Sequence, residues 1–355
     1  MRWLSLLALG LAAFVVSAVL TRLVLHLLLR QGVLDHPNPR SSHSWPRPRG
    51  GGLAVMATVA LGWLAAPALL DLFAAPALDL GARPAMTILG IGLALALLSW
   101  LDDLKDLPLA FRLGVQTLAV AAGVAALPQE GLVFGGLLPL WTDRALAGIA
   151  WLWFVNLYNF MDGIDGLSAV ETASIGIGVC LVAVLTDIEP GVAADALVVA
   201  AAMLGFLWWN RPPARIFLGD VGSVPLGYLV GWLLLSLAAA GQWAAAALLP
   251  AYYLADASVT LLRRLTRGVP VWRAHAEHFY QHAARAVGHA RVLGAVTLVD
   301  ICLVALAVLT ALAPRQTVAW LVLGLALAAA MLWYLARRKP SPQRASHHPG
   351  EDHAG

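Results

Sequence analysis

Five short polar islands interrupt a chain otherwise built of hydrocarbon side chains: DHPNPRSSHSWPRPRGGG (35–52), LDDLKD (101–106), NLYNFMDGIDGL (156–167), FLGDVGS (217–223) and HAEHFYQH (275–282). Each is rich in Asp, Asn, His, Arg or Gly, the residue types that hold charge or let backbone approach a ligand. Acids in or beside a bilayer cost a few kcal/mol each and are functional candidates by default. Asp102 and Asp103 are adjacent, with Asp106 one turn on. Neighbouring carboxylates repel unless a cation or a shared proton relieves them. Mg²⁺ is commonly held by one or two carboxylates together with substrate phosphates. The pair therefore reads as a metal or acid–base site, or as a solvated helix end eased by Lys105.

In 156–167, Asn156, Asn159, Asp162 and Asp165 recur every third residue. A three-residue step on a helix drifts by about 60°, so the four cannot share a face. Gly163 and Gly166 imply that the helix ends near Met161, with both Asn on its last turn and both Asp in a glycine-permitted loop. Cap and turn residues are the structural alternative. In FLGDVGS, Asp220 sits between Gly219 and Gly222, and glycine-rich backbone at a helix start is an anion cradle. An acid in that cradle needs a metal to be compatible with phosphate; the plain alternative is a helix start with Ser223 as N-cap. Arg40, His43, Arg47 and Arg49 with Gly50 to Gly52 suit a diphosphate or anionic head groups, or simply set topology. His275 and His278, near Arg273, Tyr280 and His282, suit contact with a phosphate or sugar. A Zn site there lacks an evident third ligand, and a surface helix is the alternative.

The elements that carry these islands are membrane spans. The chain has 355 residues, 60% hydrophobic and 12% charged, with a net charge of +3, where globular domains carry about a quarter charged residues. Runs long enough to cross a bilayer, roughly 17–25 residues each, can be cut at about 3–25, 51–73, 85–100, 110–128, 145–160, 167–185, 193–209, 224–241, 243–262, 291–312 and 317–336. The expected fold class is all-α: a polytopic integral membrane protein of 10–11 transmembrane helices, one domain over 1–339, with a disordered cytoplasmic tail at 340–355. The first run is read as a span rather than a cleaved leader. Alternate connections hold 18 of the 23 basic residues, which places the N-terminus outside, the C-terminus inside and all five islands in the cytoplasm. Cys180 and Cys302 fall inside spans and imply no disulfide. His347, His348 and His353 lie in the solvated tail. The 129–144 connection has the composition of a small hairpin. Asp256 reads equally as structural or functional, and Glu171 and Asp300 as single packing acids.

Acids for Mg²⁺, bases for phosphate oxygens and glycine cradles, all on one side of the bilayer, are what phosphoryl transfer requires. A transporter or flippase is the non-enzymatic alternative, but its charges belong deep in pseudo-symmetric halves. An intramembrane aspartyl protease would have a Gly two residues before the Gly–Asp pair, where this chain has Phe217.

Carried by NLYNFMDGIDGL and FLGDVGS, and less specifically by DDLKD and HAEHFYQH, the chain resembles the polyprenyl-phosphate N-acetylhexosamine-1-phosphate transferases along essentially its whole length. The resemblance implies transfer of a sugar-1-phosphate from a UDP-N-acetylhexosamine to undecaprenyl phosphate, releasing UMP. It implies Mg²⁺ (or Mn²⁺ in its place) at Asp220 and Asp162, and catalytic roles for Asp102, Asp103, Asp162 and Asp165. Asn156, Asn159, Phe217, His275, His278, Arg47 and Arg49 become the substrate-binding set, with Phe217 stacking on uracil. The expected partners are the two substrates and the bilayer, with a homodimer as a candidate assembly and no nucleic acid. The expected location is a bacterial inner membrane. The muramoyl-pentapeptide branch has three consecutive histidines in the last loop and a Lys where Asp106 stands. Their absence points instead to the branch that starts O-antigen, with a sugar such as GlcNAc, FucNAc or QuiNAc, while peptidoglycan lipid synthesis stays the alternative.

Overall fold

The computed structural model describes residues 2–37, 45–72, 84–105, 107–128, 131–270 and 275–338. Arg40, His43, Asp106, Arg273 and the tail 340–355 with its three histidines lie outside the described residues. The chain is a bundle of α-helices: α1 (Arg2–Gln31), α2 (Gly52–Leu72), α3 (Pro84–Lys105), α4 (Leu109–Ala125), α5 (Leu140–Met161), α6 (Leu167–Leu185), α7 (Pro190–Asn210), α8 (Asp220–Leu237), α9 (Trp243–Leu248), α10 (Ala251–Thr266), α11 (Phe279–Val287), α12 (His289–Leu312) and α13 (Thr317–Ala336). One two-residue antiparallel pair interrupts this pattern, β1 (Leu34–Asp35) with β2 (Arg47–Pro48), where the first island folds back on itself.

Among the described residues, eight helical segments are long and apolar enough to cross a membrane, one of them Asp220–Leu248. That segment is not straight: a π-helical turn at Ala238–Gln242 contains Gly241 at φ 89°, a conformation glycine adopts without strain. Asp220 at the start of α8 and Leu261 near the end of α10 line one groove, so the chain leaves that end of the bundle along α8 and returns along α9 and α10. The protein is therefore an all-α polytopic membrane protein. With α4, α5 and the α9–α10 pair, the apolar segments account for the eleven runs read from sequence.

Two expectations change. The ninth run is not continuous, because Pro250 lacks the N–H that would carry α9 into α10. Nor is 131–139 a hairpin: it is a set of turns, held because Asp143 on α5 accepts the N–H of Val133 at 3.1 Å and of Phe134 at 2.9 Å.

One apolar core runs from Leu6 on α1 to Leu335 on α13. Its centre is α6 and α7, nearly buried all round, with Ala193, Ala194, Ala196, Ala200 and Ala202 inward on α7. Lipid tails are as apolar as Leu, so such helices hold together by close packing of small side chains rather than by the hydrophobic effect. Ser17 on α1 donates to the Ala202 carbonyl at 2.5 Å across that contact. The two acids taken singly from the sequence, Glu171 and Asp300, are buried neighbours between α6 and α12.

The tightest approach of a described glycine to another backbone lies at the polar end, where the starts of α2 and α8 meet. A Cβ on Gly52 would fall 2.3 Å from the Gly222 Cα and N. Backbone cannot yield as a side-chain tip can, so Gly52→Ala should cost about 1–3 kcal/mol of overpacking. Thermal unfolding in detergent should show a lowered midpoint; an unchanged midpoint would mean that the two helix starts are not packed in this way.

Candidate active site

The first island reaches the fourth through backbone. Phe217 N donates to the Pro48 carbonyl at 2.8 Å, and the Phe217 carbonyl accepts from Gly50 N at 3.2 Å and Gly51 N at 2.8 Å. Gly52 N then donates to the Leu218 carbonyl at 2.9 Å. This short ladder sets Arg49 beside the N-terminus of α8, where Arg49 Nη2 donates to Asp220 Oδ1 at 2.6 Å. The same nitrogen is 3.5 Å from Asp103 Oδ1. Burial opposes the charge on Arg49, but Asp220, Asp103 and Asp35 more than offset it and hold its pKa above the usual value. Arg47 acts on a different carboxylate, Asp165.

Asp102 and Asp103 face different arginines. Asp102 accepts from Arg112 Nη1 at 2.6 Å and from Leu107 N at 2.8 Å, which closes the turn from α3 into α4. Asp103 faces Arg49 instead. Each acid of the pair has its own arginine, so their mutual repulsion is relieved separately. The spacing of Arg112 ten residues on carried no signal in the sequence.

Helix α5 ends at Met161, as the glycines require, and Asp162 is its C-cap. Asn159 Oδ1 accepts from Ser223 Oγ at 2.6 Å, which ties α5 to α8. Ser223 therefore lies within the first turn of α8 and is not its N-cap; that position is Gly219, at φ 75°. Asp162 Oδ1 accepts from Ser168 Oγ at 2.7 Å. Burial raises the Asp162 carboxyl to about 6, with the Asp220 charge adding to the shift and the Ser168 hydroxyl opposing it. Asn156 Nδ2 donates to Gln116 Oε1 at 3.1 Å and to the Leu152 carbonyl.

Asp165 points elsewhere. Its Oδ2 accepts from Ala214 N at 3.0 Å and lies 3.3 Å from His289 Nδ1 on α12. Burial pushes this carboxyl up, yet His289, the Ala214 N–H and Arg47 leave it below the usual carboxylate range. It lines a separate surface pocket of about 580 Å³ with Pro212, Pro213 and His289. Asn210, which the sequence reading passed over, clips this region together. Its Oδ1 accepts from Gly166 N at 2.8 Å, and its Nδ2 donates to the Ile216 carbonyl at 2.8 Å.

A groove of about 620 Å³ joins six of the twelve predicted residues. Asp102, Asn156, Asn159, Asp220, His275 and His278 line it, and Leu95, Leu98, Leu113, Ile149, Leu152 and Val224 form its apolar walls between α3, α4, α5 and α8. His278 caps α11 and is 1% exposed; His275 stacks on it with ring centroids 5.0 Å apart. Burial, then the neighbouring His278 and Arg264, lower the His275 imidazole to about 4, so it is neutral at pH 7. Arg264, also buried, is bonded to Glu277 and to the Pro270 carbonyl.

No three Asp, Glu, His or Cys side chains among the described residues form a complete metal cage. That does not disqualify Mg²⁺, which takes one or two carboxylates and completes its shell with substrate oxygens and water. The donor chemistry fits. Asp220 and Asp162 are hard oxygen donors close enough for one to raise the other's pKa, and the positive group now beside Asp220 is Arg49.

Two outcomes follow. Asn210→Ala removes both halves of a buried clip and should cost about 1–3 kcal/mol, read as a lower unfolding midpoint in detergent; an unchanged midpoint would refute the clip. The native state disfavours protonated His275, so stability should fall as pH drops from about 6.5, the free imidazole value, towards about 4. In His275→Gln, thermal midpoints measured across that window should fall less steeply than in the parent.

The family model described as glycosyl transferase family 4 matches residues 85–238, which include three of the five islands. A probable undecaprenyl-phosphate N-acetylglucosaminyl 1-phosphate transferase of Bacillus subtilis (strain 168) is 32% identical over 234 residues, 62% of this chain and 61% of that protein. A phospho-N-acetylmuramoyl-pentapeptide-transferase of Mycobacterium sp. (strain JLS) is 31% identical over 282 residues, 64% of this chain and 75% of that protein. Its counterpart in Mycolicibacterium paratuberculosis is 32% identical over 266 residues, 61% of this chain and 72% of that one. The chain belongs to glycosyl transferase family 4, among the polyprenyl-phosphate N-acetylhexosamine-1-phosphate transferases.

Proposed function

We propose that this protein transfers a sugar-1-phosphate from a UDP-N-acetylhexosamine to undecaprenyl phosphate, yielding the lipid diphosphate-sugar and UMP. The observation that carries this reading is the groove: charged and amide side chains at one end, aliphatic walls along the rest. A site of that shape suits one water-borne and one lipid substrate. The excess of basic residues at the same end of the bundle supports a cytoplasmic site in a bacterial inner membrane.

The lipid phosphate oxygen attacks the sugar-linked β-phosphorus, a new P–O bond forms, and the bond to the bridging oxygen breaks as UMP departs. Asp103 stands where it can orient the lipid phosphate or take its proton, whereas Asp102, held by Arg112, supports it. Arg49 exchanges its carboxylate partners for phosphate oxygens as the substrates enter. Asn159 and Asn156 offer amides to the donor, Phe217 a face for uracil, and His275 and His278 contacts to the diphosphate or sugar. Asp165, with Arg47, shapes the loop around the nucleotide. Mg²⁺ on Asp220 and Asp162, with Mn²⁺ able to replace it, would supply neutralisation of the diphosphate charge.

The loop around His275 and His278 lacks three consecutive histidines, which supports GlcNAc or a 6-deoxy sugar such as FucNAc or QuiNAc, in the initiation of O-antigen or another surface polysaccharide. Similarity to the mycobacterial enzymes favours a second reading, a muramoyl-pentapeptide donor handled by the same chemistry.

Purified protein in lipid should release UMP from one member of a UDP-sugar panel that includes UDP-MurNAc-pentapeptide, given undecaprenyl phosphate and Mg²⁺. Chelation should stop the release, and Asp220→Asn should lower turnover about 10²–10³-fold, the scale of losing one preorganised charge-stabilising group. Folded protein that releases no UMP from any donor would sink the proposal, and the productive sugar would decide between the two branches.

A further inference from the structure

Asp256 on α10 is completely buried, a position that a carboxylate tolerates only when its oxygens are satisfied. The partners that satisfy it come chiefly from the histidine loop. Oδ1 lies 3.2 Å from His278 Nδ1 and accepts from Phe279 N at 3.1 Å, while Oδ2 accepts from Tyr280 N at 3.1 Å. From its own helix, Thr260 and Tyr252 contribute hydroxyls at 3.4 and 3.5 Å. Phe279 and Tyr280 open α11, so the carboxylate also meets the positive end of that helix dipole.

The His278 ring has little freedom. It stacks on His275 and on Tyr280, with centroids 5.0 and 5.6 Å away. Tyr280 is itself tied by its hydroxyl to the Phe160 carbonyl at 3.0 Å, next to Asn159. A carboxylate facing Nδ1 can only accept, which draws a proton onto Nδ1, in competition with the Gln281 N–H that points at the His278 side chain from the third residue of α11. The ring borders the groove that also holds Asp220 and Asn159. Other ionisable groups around the ring are His275, Tyr252, Tyr280 and Glu277, the last already engaged by Arg264 and Arg267.

We propose that Asp256 is a positioning residue for the transfer: it fixes the plane and the Nδ1–H tautomer of His278, so that Nε2 alone is presented to the donor's diphosphate. The proposal rests on the transferase reading given above. It assigns Asp256 a role that works through His278, not through substrate.

A double-mutant cycle tests it. Asp256→Asn can turn an amide N–H toward Nδ1 and so favour the opposite tautomer; turnover should fall about 10- to 100-fold, the usual scale for removing a group that orients a working imidazole. His278→Gln should also lower turnover, and the double variant should be no slower than His278→Gln alone. If the two losses multiply, Asp256 merely braces α11 and the proposal is overturned. A second measurement needs neither turnover nor a folded Asp256 variant. In ¹⁵N-histidine-labelled protein, the resonance that disappears in His278→Gln should show the Nδ1–H tautomer. The Nε2–H tautomer there would overturn the assignment. If the parent released no UMP from any donor, the transferase reading would fail by itself, while the spectrum would still decide how His278 is held.

Discussion

Carboxylates can be gathered at the end of an apolar bundle only if something offsets their mutual repulsion. In this protein the groups that do so are arginines. Arg49, from the connection before α2, lies against Asp220 and near Asp103, while Arg112 holds Asp102. Without Arg49, two partly buried acids from different helices would face each other across a low-dielectric gap, with Asp162 close behind. These pairs are partly exposed, so their net contribution to stability is small. Their importance is geometric: they keep acids from different helices side by side and a positive group between them.

The backbone makes that arrangement possible. Arg49 reaches Asp220 because residues 48–52 form a ladder with 217–218, and the ladder closes because Gly52 and Gly222 let two helix starts touch. A second set of clips, from Asn210, Asp165 and Ser223, holds the loop after α5 against the segment before α8. The third support is the histidine loop, bound to α10 through Asp256. Most of these clips join residues far apart in the chain, and those of Ser223 and Asp256 hold Asn159 and His278 in the wall of the groove.

The groove explains why so apolar a protein carries so few charged residues and keeps most of them at one end. Its walls are leucines, isoleucine and valine from four helices, and its head is lined by Asp, Asn and His. A lipid chain could lie along such walls without leaving a hydrocarbon environment, while its phosphate reaches water and the acids. Family membership agrees with this shape.

Much of this was legible in the amino-acid sequence, because membrane spans and glycine-punctuated loops are local signals. Hydrocarbon length announced the spans, the end of α5 at Met161 followed from Gly163 and Gly166, and the islands marked Asp220, Asp103, Asn159 and His278. The break at Pro250 was equally local, but the apolar run around it concealed the interruption. What only the tertiary structure decided was which charges answer one another. Arg49 with Asp220, Arg112 with Asp102, Asp165 with His289 and Asp256 with His278 are separated by 10 to 171 residues. No periodicity encodes such pairs. They exist because helix packing brings distant ends together, and a charge withdrawn from water must then find its partner among whatever groups the packing delivers.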